Sequence, residues 1–126
     1  MKYILMFAGT TDEQEQWEKM PKDVREAGYA NIGKWFEEHT KSGKIVGGEE
    51  LQGPSTATTV RRSREAIGDP NGKVTVTDGP FIESKEVFGG FAIVQVNDLD
   101  EALSIAKSWP GGSMVEVRPL VDHTAS

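Results

Sequence analysis

The chain contains no cysteine among its 126 residues. This absence excludes disulfide bonds, thiolate zinc sites and cysteine nucleophiles, and it is typical of proteins made for a reducing compartment, so we expect a cytoplasmic protein. Histidine is also scarce, because His39 and His123 are the only two and their separation matches no zinc-ligand spacing. The glycine pairs at 47–48 and 89–90 do not form a nucleotide-binding pattern. We therefore expect neither a metal nor an organic cofactor.

Long hydrophobic runs and an excess of basic residues are also missing. The apolar run at residues 3–8 is far too short to span a bilayer, and it lacks the flanking pattern of a signal peptide. With 14 basic and 20 acidic residues, the formal net charge is −6, which disfavours a broad phosphate-binding surface. We therefore expect no membrane segment and no nucleic-acid partner.

The chain does contain enough apolar material, 37% of its residues, for one folded domain spanning residues 1–126. Apolar and alternating runs predict strands at 2–8, 44–51, 58–62, 73–77, 90–96 and 114–120. Apolar residues at intervals of three and four predict helices over 22–42 and over about 98–109. Asp98 is the expected N-cap of the second helix, with Glu101 completing a capping-box-like pair. Residues 11–20 are interpreted as a loop or a short helix.

The order of these elements is β-α-β, a hairpin, then β-α-β. This order predicts an α+β ferredoxin-like sandwich with a β-hairpin inserted in its middle. The two predicted helices cover only one sheet face, yet residues 2–8 and 90–96 are apolar on both faces. Because each buried aliphatic or Phe side chain contributes about 1.5–3 kcal/mol, we expect the second face to pack on the sheet of an identical subunit.

Four ordered motifs cover nearly the whole chain. They are residues 57–61 (ATTVR), 76–86 (VTDGPFIESKE), 88–91 (FGGF) and 115–119 (VEVRP). Together they resemble the YCII-related family, and specifically its DGPF subgroup. The resemblance implies a ferredoxin-like subunit that pairs sheet to sheet as a dimeric α+β barrel. It implies no particular reaction, since DGPF members often lie beside extracytoplasmic-function sigma factors, which suggests regulation as readily as catalysis.

The chain departs from the family pattern in one respect. Better-known members are similar in carrying a His near the start of the first long helix and an Asp after the second, a pair proposed to act in acid–base chemistry. At the corresponding positions this chain has Asn31 or its neighbours and Ser108-Trp109. His39 lies about two helical turns further on and His123 lies in the tail, so neither is a convincing replacement.

A candidate ligand site consists of five charged residues: Arg61, Asp78, Glu83, Lys85 and Arg118. Asp78 either presents a carboxylate at a cleft or simply supplies what its turn needs. Glu83 and Lys85 either tune a general base or are solvated loop charges. Arg61 and Arg118 lie in alternating strands, where each either grips an anionic ligand or pairs with Asp78 or a neighbouring Glu.

The sequence thus leads to two hypotheses about function. The first is a small cytoplasmic homodimer that binds a small polar or anionic organic ligand between sheet and helices, with or without cofactor-independent enzyme activity. The alternative is a non-catalytic regulatory protein, such as a partner of an extracytoplasmic-function sigma factor. Stabilisation by a metabolite favours the first hypothesis, and a stoichiometric protein partner favours the second.

Overall fold

The structure, a computed structural model, describes residues 1–81 and 85–124. The elements, in chain order, are β1 (Lys2–Thr10), α1 (Thr11–Lys19), α2 (Lys22–Lys41), β2 (Ile45–Glu50), β3 (Thr58–Arg62), β4 (Val74–Asp78), β5 (Glu86–Gln95), α3 (Leu99–Lys107) and β6 (Met114–Pro119). None of the three helices in the described part of the chain is both long enough and apolar enough to cross a membrane. The chain divides into two compact units, one formed by residues 1–51 with 85–124 and the other by residues 52–81.

The larger unit holds one four-stranded sheet with the strand order β2-β5-β1-β6. Each pair of neighbouring strands is antiparallel. The helices α1 and α2 connect β1 to β2, and α3 connects β5 to β6. This arrangement confirms the predicted α+β, ferredoxin-like fold. The smaller unit holds the predicted hairpin, in which β3 pairs with β4.

The core lies on one face of this sheet, between the strands and the helices α2 and α3. Alternate residues of the two central strands point into it, with Leu5, Ala92 and Val94 fully buried. The remaining buried residues are Tyr3, Phe7, Trp35, Ile45, Val96, Ala102 and Ile105. The core therefore depends on the alternation of β1 and β5 and on short apolar stripes of the two helices.

The opposite face of the sheet is also apolar at its centre. Ile4 pairs with Ile93 and Met6 pairs with Phe91 in the register of β1 and β5, so these four side chains share that face. They are only half-buried, whereas the residues packed by the helices lie on the other face. The two-faced pattern expected from the sequence is thus present, and we call the surface of these four residues the open sheet face.

The structure decides between the loop and the short helix expected at residues 11–20, and it moves the beginning of one strand. Residues 11–19 form a regular helix because Thr10 caps it, accepting from Glu13 N at 3.2 Å while the Glu13 carboxylate accepts from Thr10 N at 2.9 Å. The strand β5 begins at Glu86, four residues earlier than expected. The beginning of β5 is charged and rich in glycine, and it pairs with residues 8–10 of β1 beyond a bulge. These residues therefore form a strand because they pair with β1, and not because polar and apolar residues alternate.

The predicted N-cap of α3 is present, but the second hydrogen bond of the capping pair comes from a different residue. Asp98 Oδ1 accepts from Glu101 N at 2.9 Å, while Glu101 Oε2 accepts from Asn97 N at 3.3 Å rather than from the Asp98 backbone. The Glu101 carboxylate also pairs with Lys44, and this hydrogen bond is the main cause that lowers the pKa of Glu101 below its ordinary value. The beginning of α3 is thereby tied to the beginning of β2.

Replacing the cap tests this account. Asp98→Ala removes the acceptor for Glu101 N, so we expect the free energy of unfolding to fall by about 1 kcal/mol in urea denaturation. Asp100→Ala is the matched control, because Asp100 is also acidic and in the first turn but does not cap the helix. Equal losses in both variants would show that general charge, not the cap, stabilises α3.

Candidate functional site

A shallow open groove of about 320 Å³ lies between α3 and β6, on the face of the sheet that the helices cover. Its walls are apolar and come from Leu103 and Ala106 of α3 and from Val115 and Val117 of β6. Its polar groups come from Lys107, Trp109 and Ser113. Apolar walls with a few polar groups are typical of sites for small organic ligands, and this volume is at the small end of their range.

Aromatic packing holds Trp109 in this groove. Its indole stacks on Phe7, with ring centroids 3.8 Å apart and planes 15° from parallel, and Trp35 meets it edge-on at 5.0 Å. The following chain approaches the indole closely, because a Cβ on Gly111 would lie 2.5 Å from Trp109 Cζ2. A larger residue at 111 would therefore displace the indole or the chain.

The indole N–H of Trp109 has no hydrogen-bond acceptor within the described residues. Its Nε1 atom is buried and has no hydrogen-bond partner there, whereas Trp35 Nε1 donates to Ser108 Oγ at 2.8 Å. A buried donor without an acceptor costs about 1–3 kcal/mol, and such a group in a folded protein needs a specific explanation. Trp109, which lines the groove, therefore has a donor without a partner among the described residues.

A carboxylate is held next to the groove by Ser113. The Ser113 hydroxyl donates to the Glu13 carboxylate, and this hydrogen bond is the largest cause that lowers the pKa of Glu13 below its ordinary value of 4.5. The hydrogen bond from Thr10 N lowers this pKa further, against a smaller opposing effect of burial. Gly9 lies beside the carboxylate and leaves room for it because it has no side chain. The Ser113 hydroxyl is thus already engaged by a carboxylate.

A second groove of about 240 Å³ lies between α2 and β2. Phe36, Ile45 and Val46 form its apolar part, and Thr40 supplies its hydroxyl. None of the residues that line it is charged. Its chemistry is therefore less distinctive than that of the groove beside α3.

Two of the predicted site residues lie on the hairpin of the smaller unit. Arg61 Nη1 donates to Thr77 Oγ1 at 3.0 Å on one face of the hairpin. Asp78 pairs with Thr58 and belongs to the opposite face, so Arg61 and Asp78 do not form the ion pair that was one alternative. Gly79 has a φ of +99° and donates its N–H to Ala57 O at 2.8 Å, which is the turn geometry expected after Asp78.

The other predicted site residues belong elsewhere in the chain. Lys85 directly precedes β5, and its carbonyl oxygen accepts from Thr11 N at 2.7 Å. Arg118 lies on the side of β6 that continues the open sheet face, where its guanidinium is 4.0 Å from Glu116, the predicted pairing with a neighbouring Glu. Glu83 lies outside the described residues. A ligand role for these residues remains a prediction.

Sequence reasoning does not identify the residues of the groove. The helical pattern places Trp109 in the core, which is half correct, because its ring packs on Phe7 while its N–H stays unused. Lys107 has no distinctive sequence signal, because a lysine near a helix end is common. The available signal is the pair of glycines after Trp109, which allow the chain to pass close to an aromatic ring.

Of the positions that correspond to the family's acid–base pair, Ser108 has a structural role in this chain. Ser108 accepts from Trp35 and donates to Ile105 O at 2.7 Å, so it links α2 to the end of α3. His39 packs its ring against Trp35 at 4.8 Å, and Asn31 is exposed on α2. Within residues 1–81 and 85–124, no group of three or more His, Asp or Glu side chains is placed to hold a metal.

Comparison with known proteins gives two findings. A family model described as the YCII-related domain matches residues 1–124. The chain is also similar to an uncharacterized protein of Rhizobium meliloti (strain 1021), with 35% identity over 86 residues. This match covers 65% of the chain and 64% of that relative, so it spans less than two thirds of the relative's length.

The hydrogen bond from Ser113 predicts a pH effect. Because the folded pKa of Glu13 lies below its unfolded value, the interaction stabilises the fold above pH 4.5 and is lost as the pH falls through the folded pKa. Ser113→Ala removes the main cause of the lowered pKa, so the Glu13 pKa should rise toward 4.5 in a carboxyl NMR titration. Ser104→Ala, on the exposed side of α3, is the control and should leave the titration unchanged. An unshifted Glu13 in Ser113→Ala would refute the assignment.

Proposed function

The chain belongs to the YCII-related family, and we propose that it is a homodimer that binds a small organic anion in the groove between α3 and β6. The observation that carries this proposal is that Trp109, whose buried N–H has no partner among the described residues, lines the groove together with Lys107. We propose binding as the function and assign no reaction. A cytoplasmic location remains our expectation.

The groove offers two kinds of recognition. The Lys107 ammonium supplies a positive charge for an anionic group, and Trp109 Nε1 supplies a donor for an acceptor atom. The apolar walls match an aliphatic or aromatic body. Because Glu13 is ionised beside Ser113, the negative group of a ligand is directed toward Lys107 rather than toward Ser113. These features together favour a small carboxylic acid with an apolar body.

The open sheet face supports the homodimer. Ile4, Met6, Phe91 and Ile93 form an apolar centre, and the helices of the same chain cover the other face. A patch of this kind on a folded subunit is typical of a protein contact. A second copy has the same patch, so a two-fold arrangement covers both at once.

A regulatory role is the second candidate. Ile67 and Phe81 in the smaller unit are 71% and 73% exposed, and exposed apolar side chains of this size are typical of surfaces that bind another protein. A partner such as an extracytoplasmic-function sigma factor fits this alternative. Stoichiometric co-purification of such a protein, without any response to small acids, would favour it over the first proposal.

Thermal shifts with benzoate, phenylacetate and hexanoate test the ligand site. We expect at least one of them to raise the Tm of the wild-type protein. Lys107→Met should weaken that binding about tenfold, a loss of about 1.4 kcal/mol. Trp109→Phe keeps an aromatic ring next to Phe7 but removes the N–H donor, so it should weaken binding as well.

The matched control is Lys19→Met. Lys19 and Lys107 are each the last residue of a nine-residue helix, so both interact with a helix C-terminus, but only Lys107 lines the groove. Lys19→Met should therefore bind like the wild type. The ligand site is refuted if Lys107→Met also binds like Lys19→Met, or if the wild type responds to none of the acids.

The dimer is tested by Ile93→Asp, which places a charge in the centre of the open sheet face. Light scattering should show a dimer for the wild type and a monomer for this variant, because burying an unpaired carboxylate costs more than the contact provides. Val24→Asp is the control, since Val24 is 45% exposed on α2 and should leave the dimer intact. A monomeric wild type at micromolar concentration would overturn the proposed dimer.

A further inference from the structure

The hairpin of β3 and β4 has two chemically different faces. One face carries Thr59, Arg61, Thr75 and Thr77, and it is internally hydrogen-bonded through Arg61 and Thr77. The other face has three valines, Val60, Val74 and Val76, which are 61%, 39% and 61% exposed. We call this second surface the valine face.

The valine face is an unusual surface for a two-stranded sheet. A hairpin of this size is at best marginally stable in water unless one of its faces packs against something. On its polar face, Thr59 Oγ1 donates to Gly79 O at 2.6 Å and Thr77 Oγ1 accepts from Arg61. A contact on the exposed valine face would give the hairpin further stabilisation.

The charges on the valine face are arranged in a self-complementary order. Val60 pairs with Val76 at the centre, Arg62 pairs with Val74 at one end, and Thr58 pairs with Asp78 at the other. One end of the face is therefore positive and the other is negative. A second copy of the same face, turned end for end, brings each positive end to a negative end.

We propose that the valine faces of two copies of this chain pack together, with Arg62 of one copy bound to Asp78 of the other. Packed sheets lie about 10 Å apart, a gap that the long Arg62 side chain bridges. The two-fold axis passes by the central pair, so Val60 and Val76 each face their own counterpart. The alternative alignment sets Arg62 against Arg62 and Asp78 against Asp78, which like-charge repulsion disfavours.

This contact involves neither the groove nor the open sheet face, but it rests on the proposed homodimer, which brings the two copies together. Three valines and two charges bury far less than the roughly 1,200 Å² of a stable interface. The hairpin contact therefore strengthens an association between copies and does not by itself hold them together. It also gives Asp78 a role other than ligand binding.

Cross-linking of introduced cysteines with a short bis-maleimide tests the contact directly, because the chain has no cysteine of its own. With a linker whose reach is no longer than about 10 Å, Val60→Cys and Val76→Cys should each form a covalent dimer at least about tenfold faster than Thr75→Cys, since facing residues of two packed sheets lie within that reach and residues on the outer faces do not. Thr75 is the matched control, because it is exposed on the same strand but on the opposite face. Equal rates in all three variants would overturn the proposal.

Charge reversal in the Val60→Cys protein tests the ion pairs. Arg62→Asp and Asp78→Arg should each slow cross-linking severalfold, because each places like charges together at both ends of the contact. Mixing the two variants restores opposite charges at both ends, so mixed dimers should form about as fast as dimers of the unreversed protein. The control mixture contains Arg61→Asp and Asp78→Arg. Because Arg61 lies on the opposite face, the cross-linking rate should not recover in this mixture.

The mixture distinguishes a contact between copies from an ion pair within one chain. If Arg62 instead pairs with Asp78 of its own chain, only the double variant recovers and the mixture does not, which would overturn the proposal. A valine face covered by another part of the same chain or by a different protein would leave Val60→Cys no faster than Thr75→Cys. Cross-linking at the hairpin does not depend on the groove, and Ile93→Asp reports separately on the open sheet face.

Discussion

The stacking of Phe7 on Trp109 is the contact on which the larger unit and its groove both depend. Phe7 belongs to the central strand β1, and Trp109 follows α3, so the stack joins the sheet to the end of that helix. Trp35 of α2 meets both rings edge-on. A stack of large rings contributes both buried area and a preferred orientation. The same contact that closes the core thus also fixes the indole of Trp109, a residue that lines the groove.

Each of the two units has apolar surface that the rest of that unit does not cover. In the larger unit, α2 and α3 pack on one face of the sheet, and the apolar centre around Ile93 lies on the other. In the smaller unit, Thr59, Arg61 and Thr77 on the polar face of the hairpin make hydrogen bonds within that unit, while the valine face is exposed. We propose contacts between copies for both surfaces, and the charges of Arg62 and Asp78 favour one orientation of the hairpin contact.

Much of the fold was predictable because local patterns and tertiary packing agree. The strands β1, β3 and β6 and the helices α2 and α3 have strong alternation or helical periodicity, and their order alone indicates a ferredoxin-like sandwich. The beginning of β5 was not predictable because Glu86 and its neighbours become strand only through pairing with β1. The candidate site was less predictable, since Lys107 and Trp109 have common structural uses at a helix end and in a core.

The sequence by itself determined the fold class, the two-faced strands, the Asp98 cap and membership of the family, because each rests on residue order or on short-range periodicity. Only the tertiary structure decided which polar groups remain without a partner. Trp109 and Trp35 are both tryptophans on buried stripes, but Ser108 accepts from one indole and nothing in the described chain accepts from the other. Likewise, strand register decides that Arg61 pairs with Thr75 and Arg62 with Val74. Hydrogen-bond partners and sheet faces depend on contacts between residues distant in sequence, which no local pattern specifies.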